Sequence, residues 1–375
     1  MKNIIVMFGG KSVEHDISII TGLQVIANLG KEYNVLPIYI SREGEWWTGD
    51  RLIMMSSFIN FSNSGLNRCW LIPHSPYLFI KKMLRTAKIK IDNILLALHG
   101  ANGEDGSVQG LLQLCEIPYS SAGVMGSALT MDKVLCKKVM MASGIATPDF
   151  YSFYVQEWKS DSKEILQNIK EKFNYKVVVK PARAGSSIGV TKCANLIQVK
   201  KAIEVAQCFD NKIIIEQTIE DFREVNIACL GLESEVETSC IEEIKGVEKN
   251  ILDFDKKYIE SSSVERIVDV KLDGKIEDEI KNIAQQIFTI CECMGVVRMD
   301  FFVEKKTSKV WLNEINSIPG SMANYLWKGQ SFSDLLEKLL ELGIKRQQER
   351  SSLTYLFKSQ ALVNFDSIPN SKIYK

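Results

Sequence analysis

The strongest chemical signal in the chain is a pair of short segments, RMDFFVE at 298–304 and VWLNEIN at 310–316. In an extended strand alternate side chains share a face. Arg298 and Asp300 therefore point one way, and Glu314 and Asn316 share a side with Leu312. The polar run Glu304–Ser308 is short enough to close a hairpin, which would gather Arg298, Asp300, Glu314 and Asn316 on one face. Met299, Phe301, Val303, Trp311 and Ile315 would form a core on the other. Two carboxylates and an amide oxygen are hard ligands, suited to Mg²⁺ bound together with substrate phosphates. An arginine beside them suits a phosphoryl or oxyanion charge. An ordinary Arg–Asp pair on a surface hairpin would use the same residues. What favours a site is that Asn316 runs straight into the turn Ser317-Ile318-Pro319-Gly320.

Four further segments carry polar groups where chemistry needs them. In VVVKPARAGSSIGV, Lys180 ends an apolar strand, where an ammonium is costly unless it meets an anion such as a nucleotide phosphate. The turn Ala184–Gly189 that follows can present N–H groups and hydroxyls to phosphate, although a plain turn would look the same, and it is not a GxxxxGK[ST] loop. In IIIEQTIEDFREV, Glu216 ends one strand and Glu224 opens the next, placing acids that could bind adenine or ribose, or could simply be exposed. In FGGKSVEHDIS, Gly9-Gly10 allows close backbone approach, Glu14 stands at a helix start where it can pair with a substrate ammonium, Ser12 can cap that helix, and His15 reads as structural. In LHGANGEDGSVQG, His99 either contacts a substrate carboxylate or hydrogen-bonds its own loop.

The elements that must position these groups are readable from periodicity. Residues 1–120 alternate strands (Lys2–Phe8, Val35–Ile40, Asn93–Leu98) with a helix over Ser18–Leu29, which predicts an α/β domain with a parallel sheet and ligands at the carboxyl ends of its strands. Residues 121–210 hold a helix opened by Asp132 and closed by Gly144, a surface helix over Lys163–Lys172, the strand Val177–Val179 and a helix over Val199–Gln207. Residues 211–345 hold strands Lys212–Glu216 and Glu224–Gly231, a long amphipathic helix over Ile276–Met294, the two strands of the hairpin and a helix over Ser331–Leu342. Residues 346–375 form a tail that is polar at first. Asp255–Ser263 is polar without periodicity, the pattern of a loop that closes over a site.

Composition narrows the class. Forty-six basic residues balance forty-six acidic ones, which argues against a nucleic-acid or membrane-surface partner, since both draw on a basic excess. The apolar run Ile4–Phe8 is too short for a signal peptide, and no stretch approaches the roughly 20 apolar residues of a membrane helix. The nine cysteines contain no CxxC pair, so they read as reduced thiols of a cytoplasmic protein, not as a zinc or disulfide framework.

Taken together and in this order, the five segments resemble the D-alanine–D-alanine ligase family of the ATP-grasp superfamily, from residue 1 to about 345. The resemblance implies a three-domain α/β (α+β) architecture in which ATP lies between two antiparallel sheets. It implies that Glu14 binds the ammonium of a first D-alanine and that His99 lies near that substrate. Lys133 and Lys180 would bind ATP phosphates, and Glu216 and Glu224 would hold the adenosine. Ser186 would connect Glu14 to Tyr258, which closes a loop, while Lys257 reaches toward ATP. Asp300, Glu314 and Asn316 would hold two Mg²⁺ ions, with Mn²⁺ as a possible substitute, and Arg298 with the Gly320 N–H would stabilise a tetrahedral intermediate. It also implies small amino-acid substrates, a homodimer and a role in peptidoglycan synthesis.

The chain departs from the family pattern after Gly320. A Met-Thr-Ser-His-Ser-Leu type run is usual there, and its serine and leucine hold the second substrate's carboxylate. Here Tyr325 stands in place of that serine, while Leu326 can still offer its backbone N–H. Ala184 before Gly-Ser-Ser is similar to the vancomycin-resistance ligases, whereas Lys257-Tyr258 resembles enzymes that make dipeptides. The acceptor expected is D-alanine; D-serine or another amine is the alternative. A catalytically silent ATP-grasp module, or an ATP-grasp branch that carboxylates, fits the retained polar set less well.

Overall fold

β1 (Lys2–Gly9) is apolar over Ile4–Phe8, and each of those five side chains is at most 1% exposed. A strand buried on both faces has to lie inside a sheet. In the computed structural model, which describes residues 1–245, 265–357 and 359, β1 runs parallel to β2 (Tyr33–Ile40) on one side and to a strand at Asn93–Leu96 on the other. Beyond β2 the sheet continues through β3 (Trp46–Thr48), β4 (Asn67–Ile72), β5 (Ser75–Lys81) and β6 (Thr86–Lys90), and the Asn93–Leu96 strand is β7. The order is β6-β5-β4-β3-β2-β1-β7. The expected parallel sheet is thus its β2-β1-β7 part, while β3 to β6 add antiparallel hairpins that are too short and too exposed to announce themselves by periodicity.

A second sheet is wholly antiparallel. It comprises β8 (Phe150–Tyr154), β9 (Val177–Pro181), β10 (Thr191–Cys193) and β11 (Lys212–Gln217), in the order β10-β9-β11-β8. Val177, Val179, Ile213 and Ile215 pack against Ile165, Ile169, Val199 and Ile203 of the helices Val155–Phe173 and Leu196–Ala206. Alternation then sends Lys180, Lys212, Ile214 and Glu216 to the opposite face. Along that face runs the helix Lys133–Ala142, capped by Asp132, whose carboxylate accepts from the N–H groups of Val134 and Leu135 and is paired with Lys212 at 2.9 Å.

The third sheet is built from β12 (Phe222–Leu232), β13 (Glu235–Thr238), β14 (Glu242–Lys245), β15 (Glu265–Val268), β16 (Met294–Glu304) and β17 (Val310–Asn316), ordered β15-β14-β12-β16-β17 with β13 on β12. One face buries Val225, Ile227, Val297, Met299, Phe301 and Val303 against Ala284, Ile287 and Phe288 of the helix Gly274–Ile290. The helix Phe332–Ser352 packs Leu335, Leu336, Leu339 and Leu340 into the core of the first sheet and extends past the expected start of the tail. There the Arg346 guanidinium donates to the carbonyls of Ser121 and Tyr119 at 2.6 and 3.1 Å, which holds the helix end in place. All nine cysteines are free thiols and seven are buried. Among the described residues no helix is long and apolar enough to cross a membrane. The expected loop Asp255–Ser263, with Lys257 and Tyr258, lies outside the described residues, as does most of the tail beyond Phe357.

Candidate active site

The uncovered face of the third sheet is polar by register. Asp300 stands across from Glu314 on β17 and from Asn226 on β12, Arg298 across from Asn316, and Asn226 across from Glu242 on β14. Arg298 forks onto Asp300, Nε to Oδ1 at 2.7 Å and Nη2 to Oδ2 at 2.8 Å. The Asn316 amide donates to Asp300 Oδ2 at 3.2 Å. Asn226 lies between two carboxylates, its amide 3.2 Å from Asp300 Oδ1 and 3.4 Å from Glu242 Oε2, and Glu242 in turn pairs with Arg266 at 3.2 Å. The sheet therefore brings Arg298, Asp300, Glu314 and Asn316 together as the alternation predicts.

One part of that expectation is corrected. The register shifts after Asp300, so that Phe301 faces Leu312 and Phe302 faces Trp311. The extra residue is Asn313, and a bulge of this kind reverses the alternation on the bulged strand. Leu312 consequently lies in the core with Phe301, and does not share the face of Glu314. Trp311, expected in the core, pairs with Phe302 on the polar side and remains half-buried. The bulge also turns Asn313 Oδ1 toward Lys180 Nζ, at 3.3 Å.

Lysines face the carboxylates from the second sheet and its helix. Lys180 Nζ is 2.7 Å from Glu216 Oε2, and Lys137 Nζ is 3.3 Å from Glu216 Oε1. One helical turn before Lys137, Lys133 donates to the Ala184 carbonyl at 2.7 Å and lies 3.9 Å from Glu314 Oε2. The expected acid Glu216 is thus buried between two ammonium groups, and Glu224 is half-buried on β12, in register with Phe302. Burial drives Glu216 toward its neutral form, but the charges of Lys137 and Lys180 outweigh it and hold the carboxyl below its ordinary range. Lys137 is lowered, chiefly by burial, with Glu216 opposing and Lys180 adding to the shift. The direction for Glu216 follows from its two positive neighbours, whereas that for Lys137 follows first from burial of an ammonium.

A second polar cluster lies at the carboxyl ends of β1 and β7. Glu14 is the N-cap of the helix His15–Asn28, where the helix dipole favours its charge, and Ser186 donates its hydroxyl to Glu14 Oε1. Ser186 holds φ +52°, a left-handed conformation that a non-glycine residue keeps only when its surroundings impose it. Two glycines crowd the same carboxylate. A Cβ on Gly100 would fall 2.7 Å from Glu14 Oε2, and one on Gly185 would fall 2.6 Å from it. The cradle around Glu14 therefore exists only because both positions lack side chains. His15, expected to be structural, bonds the Gly10 carbonyl at 2.6 Å and the Tyr39 hydroxyl at 3.1 Å.

His99 is buried, and its Nε2 lies 2.9 Å from Thr21 Oγ1, which accepts the Ser321 N–H at 3.1 Å. Burial lowers its pKa to about 4, against a smaller raising by the Ile318 backbone, so the imidazole is neutral near pH 7. Glu104, five residues on, was not singled out from the sequence. It accepts from the N–H groups of Gly100 at 2.8 Å and Ile318 at 2.9 Å, tying the loop after β7 to the loop after β17. Burial and the nearby Glu14 carboxylate push it up to about 8. Other residues missed from the sequence are Asn226, Glu242 and Lys137; for Lys137 a signal existed, since it stands four residues after Lys133 on one helix face.

After Pro319 the chain turns through Gly320–Leu326, with Ser321, Met322 and Ala323 at φ +52°, +50° and +47°. A left-handed run of three non-glycine residues is costly and is held by packing, with Met322 and Ala323 buried. The turn opens at Gly320, four residues after Asn316, and sets the Tyr325 ring 5.9 Å from the Arg266 guanidinium carbon, while Leu326 is fully buried.

The donor set fits Mg²⁺. Among the described residues no three His, Cys, Asp or Glu side chains form a ready-made metal cage. Two carboxylates and an amide suit an ion that keeps water and takes its remaining ligands from phosphate.

Comparison with known proteins decides the family. The chain matches the D-ala D-ala ligase N-terminus over residues 3–122 and the D-ala D-ala ligase C-terminus over 139–341. The chain belongs to the D-alanine–D-alanine ligase family. A family member from Thermosipho africanus, named D-alanine–D-alanine ligase, is 38% identical, covering 95% of this chain and 96% of its own length. One from Caldicellulosiruptor bescii with the same name is 39% identical, over 94% and 98%. In structure, the D-alanine–D-alanine ligase from Coxiella burnetii superposes with a TM-score of 0.79 at 27% identity, covering 93% of this chain and 96% of that one. The VanG D-Ala:D-Ser ligase from Enterococcus faecalis does so at 0.76 and 30%, covering 91% and 99%. The fold is accordingly the ATP-grasp fold of this ligase family.

Proposed function

We propose that the chain joins two D-alanine molecules at the expense of ATP, through a D-alanyl phosphate, to supply D-alanyl-D-alanine for peptidoglycan. The carrying observation is the convergence of Arg298, Asp300, Glu314 and Asn316 on one sheet face opposite Lys133 and Lys180. Phosphoryl transfer of this kind needs positioning and charge stabilisation and no protein nucleophile.

Glu14, fixed by Ser186, takes the ammonium of the first D-alanine and leaves its carboxylate facing the polar sheet. A carboxylate oxygen attacks the γ-phosphorus and ADP leaves. Lys133 and Lys180 hold phosphate oxygens as charge develops. Asp300, Glu314 and Asn316 would hold Mg²⁺, which supplies neutralisation of the phosphates when bound. The free amine of the second D-alanine then attacks the acyl carbon. Arg298 and the Gly320 N–H receive the oxyanion, and phosphate leaves with the proton that the attacking amine gives up as the amide forms. Neutral His99 acts as a hydrogen-bonding group near the first substrate and carries no charge into the site. Glu216 and Glu224 line the nucleotide side, and Lys257 and Tyr258 contribute from outside the described residues. Tyr325 and the Leu326 N–H set the acceptor end, where Tyr325 takes the position that serine holds in the common family pattern. Residues 1–120, 121–210 and 211–345 act as three domains, in a cytoplasmic homodimer.

Incubating the protein with ATP, Mg²⁺ and D-alanine, with and without D-serine, and weighing the products tests the acceptor. D-alanyl-D-alanine as the main product is expected. D-alanyl-D-serine in excess at equal concentrations would overturn the choice of acceptor, and ATP bound without any product would overturn the ligase reading.

A further inference from the structure

Lys137 is a buried cation near the polar face to which the mechanism assigns no role. It is 2% exposed, and its Nζ lies 3.3 Å from Glu216 Oε1, yet neither atom of that pair makes a hydrogen bond. The other oxygen of Glu216 takes Lys180 at 2.7 Å, and Lys180 also donates to Asn313 Oδ1 at 3.3 Å. Two ammonium groups thus share one carboxylate in a buried cluster. Lys133, one turn earlier on the same helix, is engaged with the Ala184 carbonyl and Glu314. The cluster therefore carries one net positive charge, which is expensive to bury unless an anion arrives to meet it.

We propose that Lys137 is a positioning residue that neutralises Glu216 and so leaves the Lys180 ammonium available to the nucleotide phosphates. The inference rests on the reading that Lys180 serves the nucleotide. With Lys137 present, Glu216 keeps a counter-ion when Lys180 turns toward phosphate. With Lys137 removed, Lys180 and Glu216 form a closed neutral pair, and drawing Lys180 away strands a buried carboxylate. Triphosphate binding is then opposed by the full strength of that pair. The adenosine moiety does not compete for Lys180, and whatever Glu216 contributes to holding it is common to ATP and adenosine and cancels in the ratio of their affinities.

The test is calorimetric titration of the full chain with ATP and with adenosine, reading the ratio of the two affinities. For Lys137→Met the ratio is expected to fall by about tenfold or more, the worth of one charge-assisted contact. The double variant K137M/E216Q, in which Lys180 is again the surplus charge, is expected to recover most of the ratio. A structural role alone predicts no recovery. Lys137→Gln gives the same comparison if the methionine variant does not fold. An unchanged ratio in the single variant, or a loss that the double variant fails to restore, overturns the proposal. A wild-type protein that binds adenosine but gains nothing from the phosphates of ATP overturns the nucleotide reading itself.

Discussion

The Arg298 guanidinium and the Asp300 carboxylate, two residues apart on one strand, meet in a two-point fork at 2.7 and 2.8 Å. In the proposed mechanism each would hold the other in place, the carboxylate for a metal and the guanidinium for the developing oxyanion. Asp300→Asn keeps the shape and removes the charge. It is expected to lower kcat on the order of 10³-fold while the thermal midpoint changes little. Arg298→Met is expected to cost about 10²- to 10³-fold in kcat, as for other lost oxyanion donors. Initial rates of phosphate release check both, and a variant within a few-fold of wild type would remove that residue from the site.

Glu14 and Ser186 are 172 residues apart in the chain and joined by a hydrogen bond. Glu14→Gln removes the charge that pairs with a substrate ammonium. It is expected to raise the KM of the first D-alanine by about ten- to a hundredfold, with a smaller effect on the KM of ATP. Ser186→Ala leaves Glu14 without its donor and is expected to act in the same direction, more weakly. Steady-state kinetics with each substrate varied in turn separates the two effects.

Much of this site is legible in the sequence because strand alternation is a rigid rule. Arg298, Asp300, Glu314 and Asn316 could be placed on one face from spacing alone. Leu312 could not, because a single inserted residue, Asn313, reverses the face and leaves no compositional mark. Glu104 was hidden for a different reason. It lies in the same loop as His99, but of its partners only Gly100 is local, while Ile318 and Ser317 are more than two hundred residues away. Asn226 and Glu242 read as ordinary strand residues until register sets Asn226 across from Asp300 and Glu242 across from Asn226. The hairpins β3 to β6 escaped notice because half-exposed short strands carry little apolar contrast.

His99 makes stability depend on pH in a definite sense. Its folded pKa is lowered to about 4 from an ordinary 6.5, so the unfolded chain binds the proton more readily. The contribution is fully present above pH 6.5 and is lost as pH falls from there toward 4, amounting to about 3 kcal/mol. His99→Gln cannot take up that proton. Urea unfolding at pH 7 and pH 4.5 is expected to show a smaller loss for the variant than for wild type, and equal losses would contradict the assignment.

Tyr325, proposed to set the acceptor end, has its ring 5.9 Å from the Arg266 guanidinium carbon. Tyr325→Phe keeps the ring and removes the hydroxyl. The KM of the second D-alanine is expected to rise about tenfold, the worth of one hydrogen bond to a charged group, with kcat little changed. An unaltered acceptor KM would show that the phenol does not touch the substrate.

The central claim is that the polar face of the third sheet and the facing lysines activate a D-amino acid with ATP. Its most direct measurement is phosphate release by the purified chain with ATP and Mg²⁺, as D-alanine is added. Release that requires both Mg²⁺ and D-alanine, matches dipeptide formed mole for mole and disappears in Asp300→Asn is the predicted result. Release that proceeds without D-alanine, or that persists in Asp300→Asn, would contradict it.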